Sequence, residues 1–143
     1  SDASLEERLI SFGSVEVVPS EMISYDGDVE TGVIIRMRAM GSVRNIKVHN
    51  ITTGESMRID TTKLQTILGS NIRAGDYITI NTNKGSNSIV LTRSGTSINI
   101  LNCLDKDTPW ISLVKGDNEF LVEADNVDNL MISIQNKIVY EGV

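Results

Sequence analysis

Cys103 and His49 are the single cysteine and the single histidine of the chain. They are the only pair that could supply a thiolate nucleophile with an imidazole base. Their setting argues against that chemistry. Cys103 follows the apolar run Ile98-Asn99-Ile100-Leu101 and reads as a small buried hydrophobe. His49 falls on the polar side of an alternating stretch and reads as a solvated side chain. One cysteine also excludes an internal disulfide and a cysteine-rich zinc site, and one histidine excludes a multi-histidine metal centre.

Carboxylates come in three close pairs, Asp26 with Asp28, Asp105 with Asp107, and Asp125 with Asp128, all in turn-like stretches. A glycosidase needs two carboxyls about 5–10 Å apart across a sugar site, and nothing in these stretches sets such a separation. A calcium ion needs about six to eight oxygens, which Asp and Asn loops with their carbonyls can supply. None of the stretches has the spacing of an EF-hand, and aspartate opens turns for hydrogen-bonding reasons of its own. Calcium in the Asp-rich loops stays open at this point.

Sugar recognition by a β-sandwich rests on exposed aromatic faces, and here aromatics are 4% of the chain: Trp110, Phe12, Phe120, Tyr25, Tyr77 and Tyr140. Phe120 alternates with Val122 and Ala124, so it reads as core. Trp110 follows Pro109 at the start of an expected strand and reads as core in preference to a platform. Phosphate binding is weaker still, since no glycine-rich loop opens a helix. The densest basic group, Arg36, Arg38, Arg44 and Lys47, reads as the solvated face of a hairpin. No catalytic, cofactor-binding or metal-binding residue is assigned, no cofactor is expected, and the binding loops are left open.

The elements that would position these groups are strands. Isoleucine (18), valine (13) and threonine (11) far outnumber alanine (4), and branching at Cβ favours a pleated backbone. Val33, Ile35, Met37 and Ala39 alternate with Arg36 and Arg38. Ile46 and Val48 alternate with Lys47 and His49, and Thr52-Thr53-Gly54-Glu55 turns back to Met57 and Ile59. Leu64, Ile67 and Leu68 sit at helical spacing behind Asp60 and Thr61, with Gly69 as a stop, which predicts a short helix or a structured loop. Tyr77 to Thr82, Ser88 to Arg93 and Ser97 to Leu101 read as a meander. Trp110 to Val114 and Glu119 to Ala124 read as strands flanking a Lys115-Gly116-Asp117-Asn118 hairpin turn, and Leu130 to Tyr140 as one long or two short closing strands. Ser4-Leu5-Glu6-Glu7 reads either as a capping box opening a helical turn or two or as a linker, and Phe12 to Val18 as a strand. The expectation is an all-β, antiparallel β-sandwich of about nine to eleven strands with one short helix. Residues 1–24 read as an irregular or linker segment and 25–143 as the domain.

Composition narrows the classes further. At 143 residues and 15.7 kDa the chain fits one domain, and such a chain buries roughly two-thirds of its unfolded surface. A net charge of -6 argues against nucleic acid or an anionic membrane as the main partner. No apolar run reaches the ~20 residues that would span a bilayer. The Ser-Asp-Ala-Ser start without methionine suggests that the natural N-terminus lies elsewhere.

Three ordered stretches carry a resemblance: Asp26-Gly27-Asp28-Val29-Glu30-Thr31-Gly32; Ala74-Gly75-Asp76-Tyr77-Ile78-Thr79-Ile80-Asn81-Thr82 with Lys84-Gly85; and Asp107-Thr108-Pro109-Trp110-Ile111-Ser112-Leu113-Val114-Lys115-Gly116-Asp117-Asn118. The Asn50-Ile51-Thr52-Thr53-Gly54-Glu55 hairpin falls between the first two. Together, from about Tyr25 to Val143, they resemble the C-terminal domain of distal tail proteins of long-tailed, non-contractile phages and prophages. The resemblance implies a sandwich of jelly-roll, galectin-like or carbohydrate-module-like form, and a non-enzymatic structural domain of a tail-tip hub that links the tail tube to the host-adsorption apparatus. Its glycines and aspartates would be turn formers and the tryptophan stretch a structural strand. It also implies tail-tube, tail-tip or fibre proteins as partners, a hexameric full-length protein with a monomeric fragment, and a virion location after synthesis in the bacterial host cytoplasm. The alternative is a carbohydrate-binding module for host-surface glycans, which predicts an exposed Trp110 or Tyr25 beside polar loops.

Overall fold

Ten strands, one α-helix and two single-turn 3-10 helices make up the computed structural model over its described residues, 5–11, 21–106 and 108–137. In chain order the elements are β1 (Leu5–Ser11), β2 (Glu21–Tyr25), β3 (Ile34–Ala39), β4 (Arg44–Asn50), β5 (Glu55–Ile59), helix α1 (Thr61–Leu68), β6 (Tyr77–Asn81), β7 (Ser88–Arg93), β8 (Thr96–Asn99), β9 (Gly116–Asp125) and β10 (Leu130–Lys137). One sheet runs β1-β10-β3-β6-β7-β8 and the other β2-β9-β4-β5. All pairings are antiparallel. This is the expected all-β sandwich with one short helix.

The period of two along the sequence becomes the inside and outside of the sandwich. Ile35, Met37 and Ala39 of β3 are buried while Arg36 and Arg38 are exposed. Across the β4–β5 hairpin, Ile46 faces Ile59 and Val48 faces Met57, all four buried. Inward side chains of both sheets merge into one core, in which Tyr25 and Phe120 are the largest fully buried groups. Burying each such aliphatic or aromatic side chain contributes about 1.5–3 kcal/mol. The helix forms where it is punctuated: Asp60 Oδ1 accepts from the Thr62 N–H at 2.9 Å. At the other end Gly69 takes φ 73°, and its N–H donates to the Gln65 carbonyl.

Two expectations are corrected. Leu5 to Ser11, read as helical turns or linker, is strand β1, paired residue for residue with β10 from Leu5↔Lys137 to Ser11↔Met131. Non-local pairing with β10 overrides the local capping pattern. The Lys115–Asn118 hairpin does not exist either. Gly116, Asp117 and Asn118 already belong to β9, opposite Tyr25, Ser24 and Ile23 of β2. Trp110 to Val114 is not a strand, and its one ladder contact is the bridge Thr31↔Leu113. The reason lies in Asn118, whose Oδ1 accepts from the Val114 N–H at 3.0 Å and whose Nδ2 donates to the Val114 carbonyl at 2.8 Å. One side chain thus gives Val114 the two bonds that a neighbouring strand would have made. The strand expected at Phe12 to Val18 lies outside the described residues, as do Tyr140 and Asp107.

Candidate functional site

Four loops meet at one end of the sandwich and enclose a cleft of about 540 Å³. They are the β2–β3 connection at Val29–Gly32, the β6–β7 turn at 82–87, the start of β5 at Glu55, and the Trp110–Ser112 segment. Each of the stretches that carry the family resemblance contributes to it.

The wall is held together by side chains that bond to backbone. Asn83 Oδ1 accepts from Thr31 Oγ1 at 3.1 Å and from the Gly32 N–H at 3.2 Å. Thr82 Oγ1 accepts from the Val33 N–H at 2.8 Å. Gly32 is not a turn former here. A Cβ added to it would stand 2.5 Å from Asn83 N and Thr82 O, so its lack of a side chain is what lets the two loops touch. Tyr25, buried beneath, donates its hydroxyl to the Val29 carbonyl.

The opposite wall centres on Glu55. Its Oε1 accepts from the Ser112 N–H at 2.8 Å, Ser112 Oγ at 3.0 Å and Thr53 Oγ1 at 2.7 Å. Oε2 has no hydrogen-bond partner among the described residues. Behind it, Asn50 Nδ2 donates to the Ser112 carbonyl at 2.8 Å and to Asn118 Oδ1 at 3.2 Å. Trp110 is half-buried and lines the cleft. With the Asn87 amide oriented to satisfy both neighbours, its oxygen accepts from Trp110 Nε1 at 3.2 Å and its nitrogen donates to the Asn83 carbonyl. Glu30 and Lys84 are exposed on the rim, and neither is ion-paired among the described residues.

The remaining candidates disperse. Cys103 is fully buried, and burial followed by the nearby Asp60 charge pushes its thiol pKa up, which is the reverse of an activated nucleophile. His49 lies on the outer face of β4, held by Ser56 Oγ at 2.6 Å and Glu123 Oε1 at 2.6 Å, so it is engaged where a solvated ring was expected. Asp105 accepts from Arg58 at 3.1 Å on both oxygens, and Asp125 from Asn45 Nδ2 at 2.7 Å, while Asp26, Asp28 and Asp128 are exposed. No group of three or more His, Cys, Asp or Glu comes together to hold a metal ion among the described residues. The basic group is split between sheets, with Arg36 and Arg38 on β3 and Arg44 and Lys47 on β4. Arg36 donates to Gln135 Oε1, and Arg38 lies 5.8 Å from the centroid of the half-exposed Tyr77 ring. Phe120 is core as expected, and Tyr25, one of the two aromatics that the glycan alternative would expose, is buried as well.

One buried pair was missed. Asp76, 1% exposed, accepts from Arg93 Nε at 2.9 Å and Nη2 at 2.7 Å and from the Arg73 N–H at 2.9 Å. Burial acts to raise its pKa, but the Arg93 hydrogen bonds, the Arg73 N–H and the Arg93 charge outweigh it, and the carboxyl sits below its ordinary value. Arg93 completes its fork on Ser70 Oγ and the Asn71 carbonyl. Asp76 reads as a turn residue in Ala74-Gly75-Asp76. The available signal was an arginine closing the apolar strand Ile89-Val90-Leu91.

A family profile, siphovirus-type tail component, C-terminal domain, matches residues 26–137. Among solved structures, the crystal structure of SPP1 Dit, described as a paradigm of hub adsorption apparatus in Gram-positive infecting phages, aligns with TM-score 0.62 at 12% identity. That alignment covers 94% of this chain and 47% of that one, so the chain spans about half the length of that protein. A chain of the phage P2 baseplate, in its activated conformation with Ca, aligns with TM-score 0.44 at 15% identity over 82% of this chain and 36% of that one. A sequence search among curated proteins finds no match.

Proposed function

Because the chain belongs to the siphovirus-type tail component family, whose C-terminal domain it matches over residues 26–137, we propose that it is the structural and interaction domain of a phage or prophage distal tail protein. In that role it links the tail tube to the host-adsorption apparatus, contacting other tail proteins at the tail tip of the virion after synthesis in the host cytoplasm. The family match is the observation that carries this reading. A rigid two-sheet body with cross-braced loops suits it, since contacts made by several copies on one hub gain strength by avidity. Ring formation into a hexamer is assigned to a domain preceding this one, and the domain itself to a monomer.

The test is the solution mass of residues 1–143 beside that of the same reading frame extended upstream, both by light scattering. A monomer for the first and a hexamer for the second is the expected result. Two monomers would remove the hub.

A second reading, recognition of a host-surface glycan, is favoured by one observation: Trp110 lines a cleft with Glu55, Asn87 and Lys84.

A further inference from the structure

We propose that the Trp110 cleft is a binding site for a neutral pyranose, a mono- or disaccharide unit presented at the end of the sandwich. This rests on the glycan reading above and gives it a place and a chemistry.

The cleft volume of about 540 Å³ lies in the range of small-molecule sites, roughly 300–1,000 Å³. Its lining mixes the apolar Val29, Trp110 and Ile111 with the polar Glu55, Lys84 and Asn87, which suits the C–H face and hydroxyl edge of a pyranose. The half-buried indole offers an apolar surface for the C–H face of a sugar ring, and its Nε1 is already committed to Asn87. That bond fixes the ring plane before any ligand arrives. Glu55 is held by three donors on Oε1, so Oε2 is a stationary acceptor with no internal partner among the described residues. Lys84, exposed on the rim, is a donor that also has no ion pair among the described residues. A ligand that satisfies both must carry donors and acceptors around one apolar face, which is what ring hydroxyls do. Anions fit poorly, because one lysine faces two carboxylates, Glu30 and Glu55. A quaternary ammonium would use the indole and the carboxylates but leave the Lys84 donor without an acceptor and repel it.

Trp110 is the only tryptophan, so intrinsic indole fluorescence reports on this cleft alone. The probes are methyl α-D-glucopyranoside, methyl β-D-galactopyranoside and N-acetylglucosamine, with sorbitol, inorganic phosphate and tetramethylammonium as comparators. The expected result is a saturable change with at least one pyranose probe and none with the comparators. Glu55→Gln, which keeps an acceptor for Ser112 and Thr53, should weaken binding about tenfold, and Lys84→Ala about threefold. Both variants should melt at the wild-type temperature. A saturable response to sorbitol or tetramethylammonium equal to that of the sugars overturns the proposal, as does wild-type affinity in both variants, or silence with all three pyranoses. Pull-down on bacterial cell-wall polysaccharide separates the two levels. Retention that E55Q and K84A leave unchanged, with silent fluorescence, sinks this site and keeps the glycan reading. No retention and no fluorescence response sink both.

Discussion

Asn50 and Asn118, 68 residues apart in sequence, join their side-chain amides at 3.2 Å inside the sandwich, where both are fully buried. Each also serves a loop. Asn50 Oδ1 accepts from the Thr52 N–H at 3.0 Å, and Asn118 Nδ2 donates to the Val114 and Gly116 carbonyls at 2.8 and 3.1 Å. The pair therefore ties the β4–β5 turn to the segment that carries Trp110.

Asn118→Ala should leave the Val114 N–H and two carbonyls without partners, for a loss of about 3 kcal/mol in urea unfolding. Asn118→Asp should do no better, since a buried carboxylate would face the carbonyls that now receive its N–H groups. An exposed control, Asn102→Ala, should stay within about 0.5 kcal/mol of wild type. Equal midpoints for all three proteins would show that the amide is not holding the segment.

Asp76→Asn should cost about 3 kcal/mol, because it strands the Arg93 guanidinium in a site where that side chain is only 14% exposed. Replacing both, with Asp76→Asn and Arg93→Met, should recover part of the loss. The pH dependence follows from the depressed carboxyl. Its folded pKa lies below the unfolded value of about 3.9, so acidification protonates the unfolded chain first. The contribution is complete above pH ~4 and is lost as pH falls through the folded value. The gap between wild type and D76N should thus close only in strong acid. A gap independent of pH down to pH 2 would assign the cost to packing instead.

Gly32→Ala should destabilise by about 1–3 kcal/mol, since the new methyl meets backbone at Thr82 and Asn83, with no flexible side chain to move aside. The wall would have to part, so the emission of Trp110 should shift as well. Gly54→Ala makes the contrast: its φ of 76° costs about 1 kcal/mol in strain, but its Cβ meets nothing. If G32A melts no lower than G54A, close approach is not what Gly32 provides.

Much of the sandwich is legible in the chain because its strands bury one face. Ile35, Met37 and Ala39, or Ile46 and Val48, announce their direction by alternation alone. Helix α1 is legible for a different reason, since Asp60 and Gly69 punctuate it locally. The start of β9 is not, because Gly116, Asp117 and Asn118 are good turn formers and only the partner β2 decides between turn and strand. The same holds for β1, whose pairing is with β10, more than a hundred residues away. The cleft was invisible for a geometric reason: Gly32, Glu55, Asn83 and Trp110 are neighbours only once both sheets are stacked. Trp110 reads as core from its sequence, and it is half core and half wall.

The pairing of β1 with β10 has a mechanical side. Because the two strands are antiparallel with Leu5 opposite Lys137, the chain enters and leaves the domain at the same corner. Tension between the segment before Leu5 and the segment after Lys137 would load the ladder one rung at a time, like opening a zipper, and peel at low force. A load entering through Leu5 and leaving through the loops around Trp110 would not open that pair from its end, so strain would be carried best by a domain gripped at its loops and tethered by one end.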